Sequence, residues 1–131
     1  MSFAYHYDLY NPADEQPVKT VKGVLSIEGE ELLFEYKLYD PAGTVISTLN
    51  KFSLQVDFLK KIMFKKSLFS SKMIIETSQM VFLDPIPGSS QGKILLKINR
   101  EDRNQAQDFA TKLNIALSER RLKDLDEGRE L

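Results

Sequence analysis

A chain of 131 residues with 42% hydrophobic and 28% charged side chains has the make-up of one ordinary globular domain, which excludes a disordered or fibrous protein. Its 18 basic and 19 acidic residues leave a net charge of −1, without the basic excess that a dedicated duplex-binding protein sets against phosphates. Cysteine is absent, which excludes disulfides, thiol nucleophiles and cysteine-ligated metal centres, and makes a reducing cytoplasm the expected compartment.

The first residues, Met1-Ser2-Phe3-Ala4-Tyr5-His6-Tyr7-Asp8, lack the basic and apolar regions of a secretory signal. Phe3, Tyr5, Tyr7 and Leu9 alternate with Ala4, His6 and Asp8, the period of a strand with one packed face. Segment 1–20 is an N-terminal aromatic segment, for which an extra edge strand on the domain and packing on a neighbour are the open alternatives. Asn11-Pro12-Ala13-Asp14 ends it with turn chemistry. Residues 21–27 predict a second strand, Glu28-Gly29-Glu30 a tight turn, and residues 31–40 a third strand with Leu32, Phe34, Tyr36 and Leu38 on one face. Asp40-Pro41-Ala42-Gly43 closes it, and 44–49 is expected to begin a fourth.

Phe52, Leu54, Val56 and Phe58 give the clearest period of two in the chain. The period changes over 59–62, which predicts a short helical turn there. Residues 63–67 and 72–78 predict a hairpin across Leu68-Phe69-Ser70-Ser71, and 79–83 a further strand. Two prolines and two glycines make 84–92 a loop. The last strand is expected over 93–98.

The pattern then switches. Asn99 suits an N-cap, and Glu101 and Asp102 suit the positive end of a helix dipole. Ala106, Phe109, Ala110, Leu113, Ala116 and Leu117 form one apolar stripe on a helix over 100–123, with Ile115 and Leu122 off it. A charged tail over 124–131 is expected to fray. The segment Tyr7-Asp8-Leu9-Tyr10-Asn11-Pro12-Ala13 echoes Tyr36-Lys37-Leu38-Tyr39-Asp40-Pro41-Ala42, as two strands ending in the same kind of turn. The whole predicts a mainly β protein: a barrel or sandwich of about seven strands capped by one C-terminal helix.

This order resembles the pleckstrin-homology-like fold in its bacterial versions. Residues 56–77 carry the likeness, with a strand, a brief helical turn, the lysine-rich Leu59-Lys60-Lys61-Ile62-Met63-Phe64-Lys65-Lys66 and a short hairpin. The run Lys93-Ile94-Leu95-Leu96-Lys97-Ile98 and the stripe to Leu117 resemble that family's last strand and capping helix. The resemblance implies a PH-like domain over 21–123 that binds lipid headgroups, peptides or proteins, and often copies of itself. The animal phosphoinositide motif puts basic residues in the first hairpin loop. Here that loop is the acidic Ile27-Glu28-Gly29-Glu30-Glu31, so those lipid-binding roles do not carry over.

Little else suggests chemistry. His6 is the only histidine, so a two-histidine metal site is impossible and a triad has a poor base. Gly88-Ser89-Ser90-Gln91-Gly92-Lys93 fails as a phosphate loop, because its glycine spacing is short, Ile94 replaces Ser/Thr and a strand follows. Glu28, Glu30 and Glu31 lack calcium-loop spacing. No catalytic, cofactor or metal residues are expected, and no small-molecule substrate.

One cluster stands out. Lys60, Lys61, Lys65, Lys66 and Lys72 flank Leu68 and Phe69, with no acid between Asp57 and Glu76. Such a patch suits an acidic protein or an anionic bilayer, where each lysine adds about 1 kcal/mol. The bland alternative folds Leu68 and Phe69 into the core and leaves the lysines as a solvated face. The expectation is a non-catalytic protein-binding module, including self-association. A peripheral membrane adaptor and an apolar-ligand carrier are the alternatives. Single-stranded nucleic acid fits poorly, because only Phe64 and Phe69 interleave the cations.

Overall fold

The computed structural model describes residues 1–126. Seven strands precede one helix: β1 (Ser2–Tyr10), β2 (Pro17–Glu28), β3 (Glu31–Tyr39), β4 (Asn50–Gln55), β5 (Leu59–Lys65), β6 (Ser70–Thr77), β7 (Lys93–Asn99) and α1 (Arg103–Asp126). They form one antiparallel sheet in the order β4-β3-β2-β1-β7-β6-β5. The mainly β architecture with a single C-terminal helix is as expected.

Two expectations are corrected here. Segment 1–20 does not supply an edge strand: β1 is the central strand, paired with β2 along its length and with β7 through His6 opposite Lys97. Its period-two pattern was compatible with either place, because alternation reports a packed face and says nothing of neighbours. The sheet also does not close into a barrel or sandwich. Among the described residues no ladder joins β4 to β5, the two edges. The helix takes up the edge that closure needs: Asn114 Nδ2 donates to the Ile62 carbonyl at 3.0 Å, and Arg121 donates to the Lys60 carbonyl. These bonds also protect an edge that would otherwise invite pairing with another chain.

Local departures have local causes. Residues 44–49 are not a strand; only Val45 bridges to Tyr39. The loop still satisfies β3, since Ile46 N–H donates to the Leu38 carbonyl and Leu38 N–H to the Ser47 hydroxyl. The helical turn comes earlier than 59–62, as the 3-10 turn Val56–Phe58. It is pinned at both ends: Val56 N–H donates to the Glu30 carbonyl, and the Phe58 carbonyl accepts from Ser78 N–H. Residues 79–83 are not a strand either. Thr77 Oγ1 donates to the Gln79 carbonyl at 2.7 Å, and Thr77 N–H to the Gly92 carbonyl, so the chain turns off the sheet into the 3-10 turn Met80–Leu83. Leu83 is buried there, and Phe82 stacks on Phe58 with centroids 4.2 Å apart.

The inward residues of all seven strands and of α1 meet in one core built around Phe34, Phe109, Leu25, Leu32, Met73, Ile75, Leu96 and Ile98. Five of the six predicted stripe residues, Ala106, Phe109, Ala110, Leu113 and Leu117, are buried, and Ala116 is half-buried. Ile115 and Leu122 are exposed. Asn99 is extended but its side chain makes no capping bond, and a 3-10 turn over Arg100–Asp102 leads into α1. The helix runs to Asp126, so the start of the tail expected to fray is helical. The rest of that tail, 127–131, lies outside the described residues.

Candidate functional site

The lysine-rich hairpin is β5–β6. Lys65 faces Lys72 across the ladder and Lys61 faces Glu76. Lys60 also reaches Glu76, at 3.6 Å, while Lys61, Lys65, Lys66 and Lys72 are exposed. Leu68 and Phe69 do not fold inward: they are 66% and 82% exposed at the hairpin tip. The tip is held rather than loose. Ser67 N–H donates to the buried Ser71 hydroxyl at 3.2 Å, and Arg103 Nη1 donates to the Ser67 carbonyl at 3.3 Å. A turn held by these two bonds thus presents two large apolar side chains next to Lys65, Lys66 and Lys72.

The sheet adds residues that a linear reading of the chain missed. Lys72 faces Lys97 on β7, Lys97 faces His6 on β1, His6 faces Lys22 on β2, and Lys22 faces Lys37 on β3. A row of five lysines and His6 therefore crosses six strands on the outer face. The only signal in the sequence was that each occupies an outward position of its own strand. Register alone lines them up.

His6 sits half-buried in the middle of that row. Burial lowers its pKa below the usual 6.5, Lys97 and Lys22 lower it further, and Asp8 opposes them. Neutral His6 is thus the form the fold accommodates. As pH falls below 6.5 the unfolded chain binds the proton first, so this contribution to stability is present above 6.5 and is lost as pH drops toward the folded value. Urea melts of His6→Gln are expected to lose less stability than wild type across that acid window. Parallel pH profiles for the two proteins would discard this account.

Burial also acts on tyrosines of the core. Burial pushes the Tyr5 and Tyr7 hydroxyls well above their ordinary range, and Tyr7 donates to the Pro87 carbonyl at 2.6 Å. Glu28, Glu30, Glu31 and Asp57 line an open depression of about 360 Å³ at the β2–β3 turn. Arg120 engages two of these acids, bonding Glu30 at 3.0 Å and pairing with Asp57. Among the described residues no group of three His, Cys, Asp or Glu is placed to hold a metal ion. No described helix is long and apolar enough to cross a membrane.

Compared with known proteins, the chain matches no family model, no curated protein and no solved structure.

Proposed function

We propose that this chain is a non-catalytic, PH-like interaction module of the cytoplasm that binds an acidic protein partner through the β5–β6 tip. The observation that carries this reading is the exposure of Leu68 and Phe69 inside a cluster of lysines. Large apolar side chains at a fixed turn are anchors of the kind that concentrate binding energy, and surrounding charges steer the encounter. Two antiparallel meanders followed by one packed helix support the PH-like assignment. A second copy of the chain qualifies as the partner, because Glu28 and Glu31 of its acidic depression, which Arg120 does not bond, complement the tip in charge.

The same tip favours one other reading, a peripheral adaptor on an anionic bilayer. An aromatic side chain that is 82% exposed beside lysines is suited to the headgroup boundary. The apolar-ligand carrier has no comparable support, since the inner faces of the strands fill a single packed core.

The double substitution Leu68→Ser with Phe69→Ser is expected to weaken tip-mediated binding about tenfold and leave the urea midpoint unchanged, because exposed side chains contribute little to folding. Light scattering at low and high salt, then flotation on phosphatidylserine and phosphatidylcholine vesicles, reads the result. An assembly lost in the variant supports self-association. A monomer that floats only on the anionic vesicles, and only with the tip intact, selects the bilayer. A wild-type monomer that binds neither vesicle, and a variant identical to it throughout, would count against the tip.

A further inference from the structure

We infer that the outer face of the sheet carries a second recognition site, a groove across β7, β1, β2 and β3 that takes an extended acidic polypeptide segment. The inference deepens the interaction-module reading but places contacts away from the hairpin tip.

Its first support is the row Lys65, Lys72, Lys97, His6, Lys22 and Lys37, each directly opposite the next. Like charges facing each other across a ladder are destabilising. This sheet holds three Lys–Lys pairs, Lys65–Lys72, Lys72–Lys97 and Lys22–Lys37, with the neutral His6 between the last two and no carboxylate in the row. Two acids lie beside the row, Asp8, which also acts on His6, and Glu35. Asp8 accepts from Thr20 Oγ1 at 3.0 Å, Glu35 stands opposite Lys51, and Glu76 is paired with Lys60.

Its second support is shape. Ala4, His6, Lys22, Gly23 and Asn99 line an open depression of about 380 Å³. A neighbouring depression of about 400 Å³ is lined by Lys22, Gly23, Val24, Lys37, Tyr39 and Leu49 among others. The two adjoin at Lys22 and Gly23, which line both, and His6, Lys22 and Lys37 of the row border them. Lys22 Nζ lies 4.8 Å from the Tyr39 ring centroid, which holds its ammonium over the groove.

The width of the site selects the occupant. The row is one residue wide on each strand; Asp8 lies beside His6 and Glu35 beside Lys37, and its other outer-face neighbours, among them Ala4, Val24, Ile74 and Leu95, are uncharged. A bilayer plane would meet those carboxylates as well, whereas a single chain lying along the line meets the cations. Single-stranded nucleic acid needs a series of aromatic faces for stacking, and of the tyrosines lining the two depressions Tyr5 and Tyr36 are buried and Tyr39 is engaged by Lys22. At the usual strand spacing the row is about 24 Å long, a span covered by about eight extended residues. An acidic segment laid there would place a carboxylate beside His6 and favour its protonation against the effects of Lys97 and Lys22.

The test is fluorescence anisotropy of a fluorescein-labelled octapeptide of alternating Glu and Gly, titrated with the full chain. A saturable rise that weakens with added salt is expected. Lys22→Glu and Lys97→Glu are each expected to weaken it about tenfold. The Leu68→Ser, Phe69→Ser double variant, and Lys66→Glu, are expected to bind like wild type, which separates this site from the tip. Thermal melts confirm that the variants fold, and Lys22→Gln and Lys97→Gln replace any that do not. The inference is overturned if wild type gives no saturable rise, or if the row variants bind as wild type does. It is equally overturned if oligo-dT or phosphatidylserine vesicles displace the peptide while an unlabelled acidic peptide does not.

Discussion

Phe109→Ala is expected to lower the free energy of unfolding by about 4 kcal/mol, the cost of deleting a large aromatic side chain from a packed interior. Phe109 is 1% exposed, and its ring meets Phe3 edge to face with centroids 5.1 Å apart. It is the largest side chain of the stripe by which α1 is held on the sheet. Ala106 and Ala110 on either side cannot expand to fill the space, so a cavity or a displaced helix must result. A displaced helix has a second consequence. Asn114 and Arg121 would lose their reach to the Ile62 and Lys60 carbonyls, and the β5 edge would be uncovered. Loss of stability should therefore come with self-association at concentrations where wild type stays dispersed. Urea denaturation gives the first quantity and light scattering the second. Phe109→Leu should recover a good part of the loss, and Ile115→Ala, on the exposed side of the same helix, should stay within about 0.5 kcal/mol of wild type. A small loss for Phe109→Ala with a large one for Ile115→Ala would mean that the helix packs by another face.

How far the sequence discloses this molecule depends on how local each feature is. The alternation of Phe3, Tyr5 and Tyr7, the Glu28-Gly29-Glu30 turn with Gly29 at φ +59° and the stripe of α1 are written within a few residues, and each is found as read. Met80-Val81-Phe82-Leu83 forms a 3-10 turn where a strand is expected, because four apolar residues in succession carry no period and a long-range bond from Thr77 to Gly92 turns the chain off the sheet. Val56 and Phe58 kept the phase of β4 yet lie in a 3-10 turn, since alternate burial continues briefly through such a turn. The central place of β1 depends on which strand becomes its second neighbour, and no local pattern states that. The same holds for the two candidate sites. The tip is one contiguous stretch and could be named from the chain, although its exposure could not. The cationic row gathers positions 6, 22, 37, 65, 72 and 97, and nothing short of the register brings them together.

Gly23 links the fold to that row, and its replacement should be among the most damaging single changes in the sheet. In a strand interior glycine normally costs stability relative to alanine, by about 0.5–1 kcal/mol, so Gly→Ala would ordinarily help. Here the sign is expected to reverse. A Cβ at position 23 would lie 2.3 Å from the Glu35 carbonyl oxygen, 2.8 Å from Tyr36 Cβ and 2.8 Å from the Tyr5 hydroxyl oxygen. Tyr5 and Tyr36 are its direct cross-strand neighbours, so the two aromatic side chains close over the space that the glycine leaves on the inner face. A backbone oxygen and a Cβ cannot swing aside as the end of a flexible side chain can. Gly23→Ala is therefore expected to destabilise the protein by about 3 kcal/mol, at the upper end of overpacking costs. Combining it with Tyr5→Phe removes only one of the three contacts, so the double variant should recover a part of the loss and not all of it. Because Gly23 also lines both outer depressions, the strand shift that relieves the clash must move Lys22 relative to His6 and Lys37. Acidic-peptide binding measured on the folded fraction of Gly23→Ala should fall too, although no charge has been changed. A variant that is stabilised, or that binds the peptide as wild type does, would show that β2 and β3 can separate at this point without disturbing the outer face.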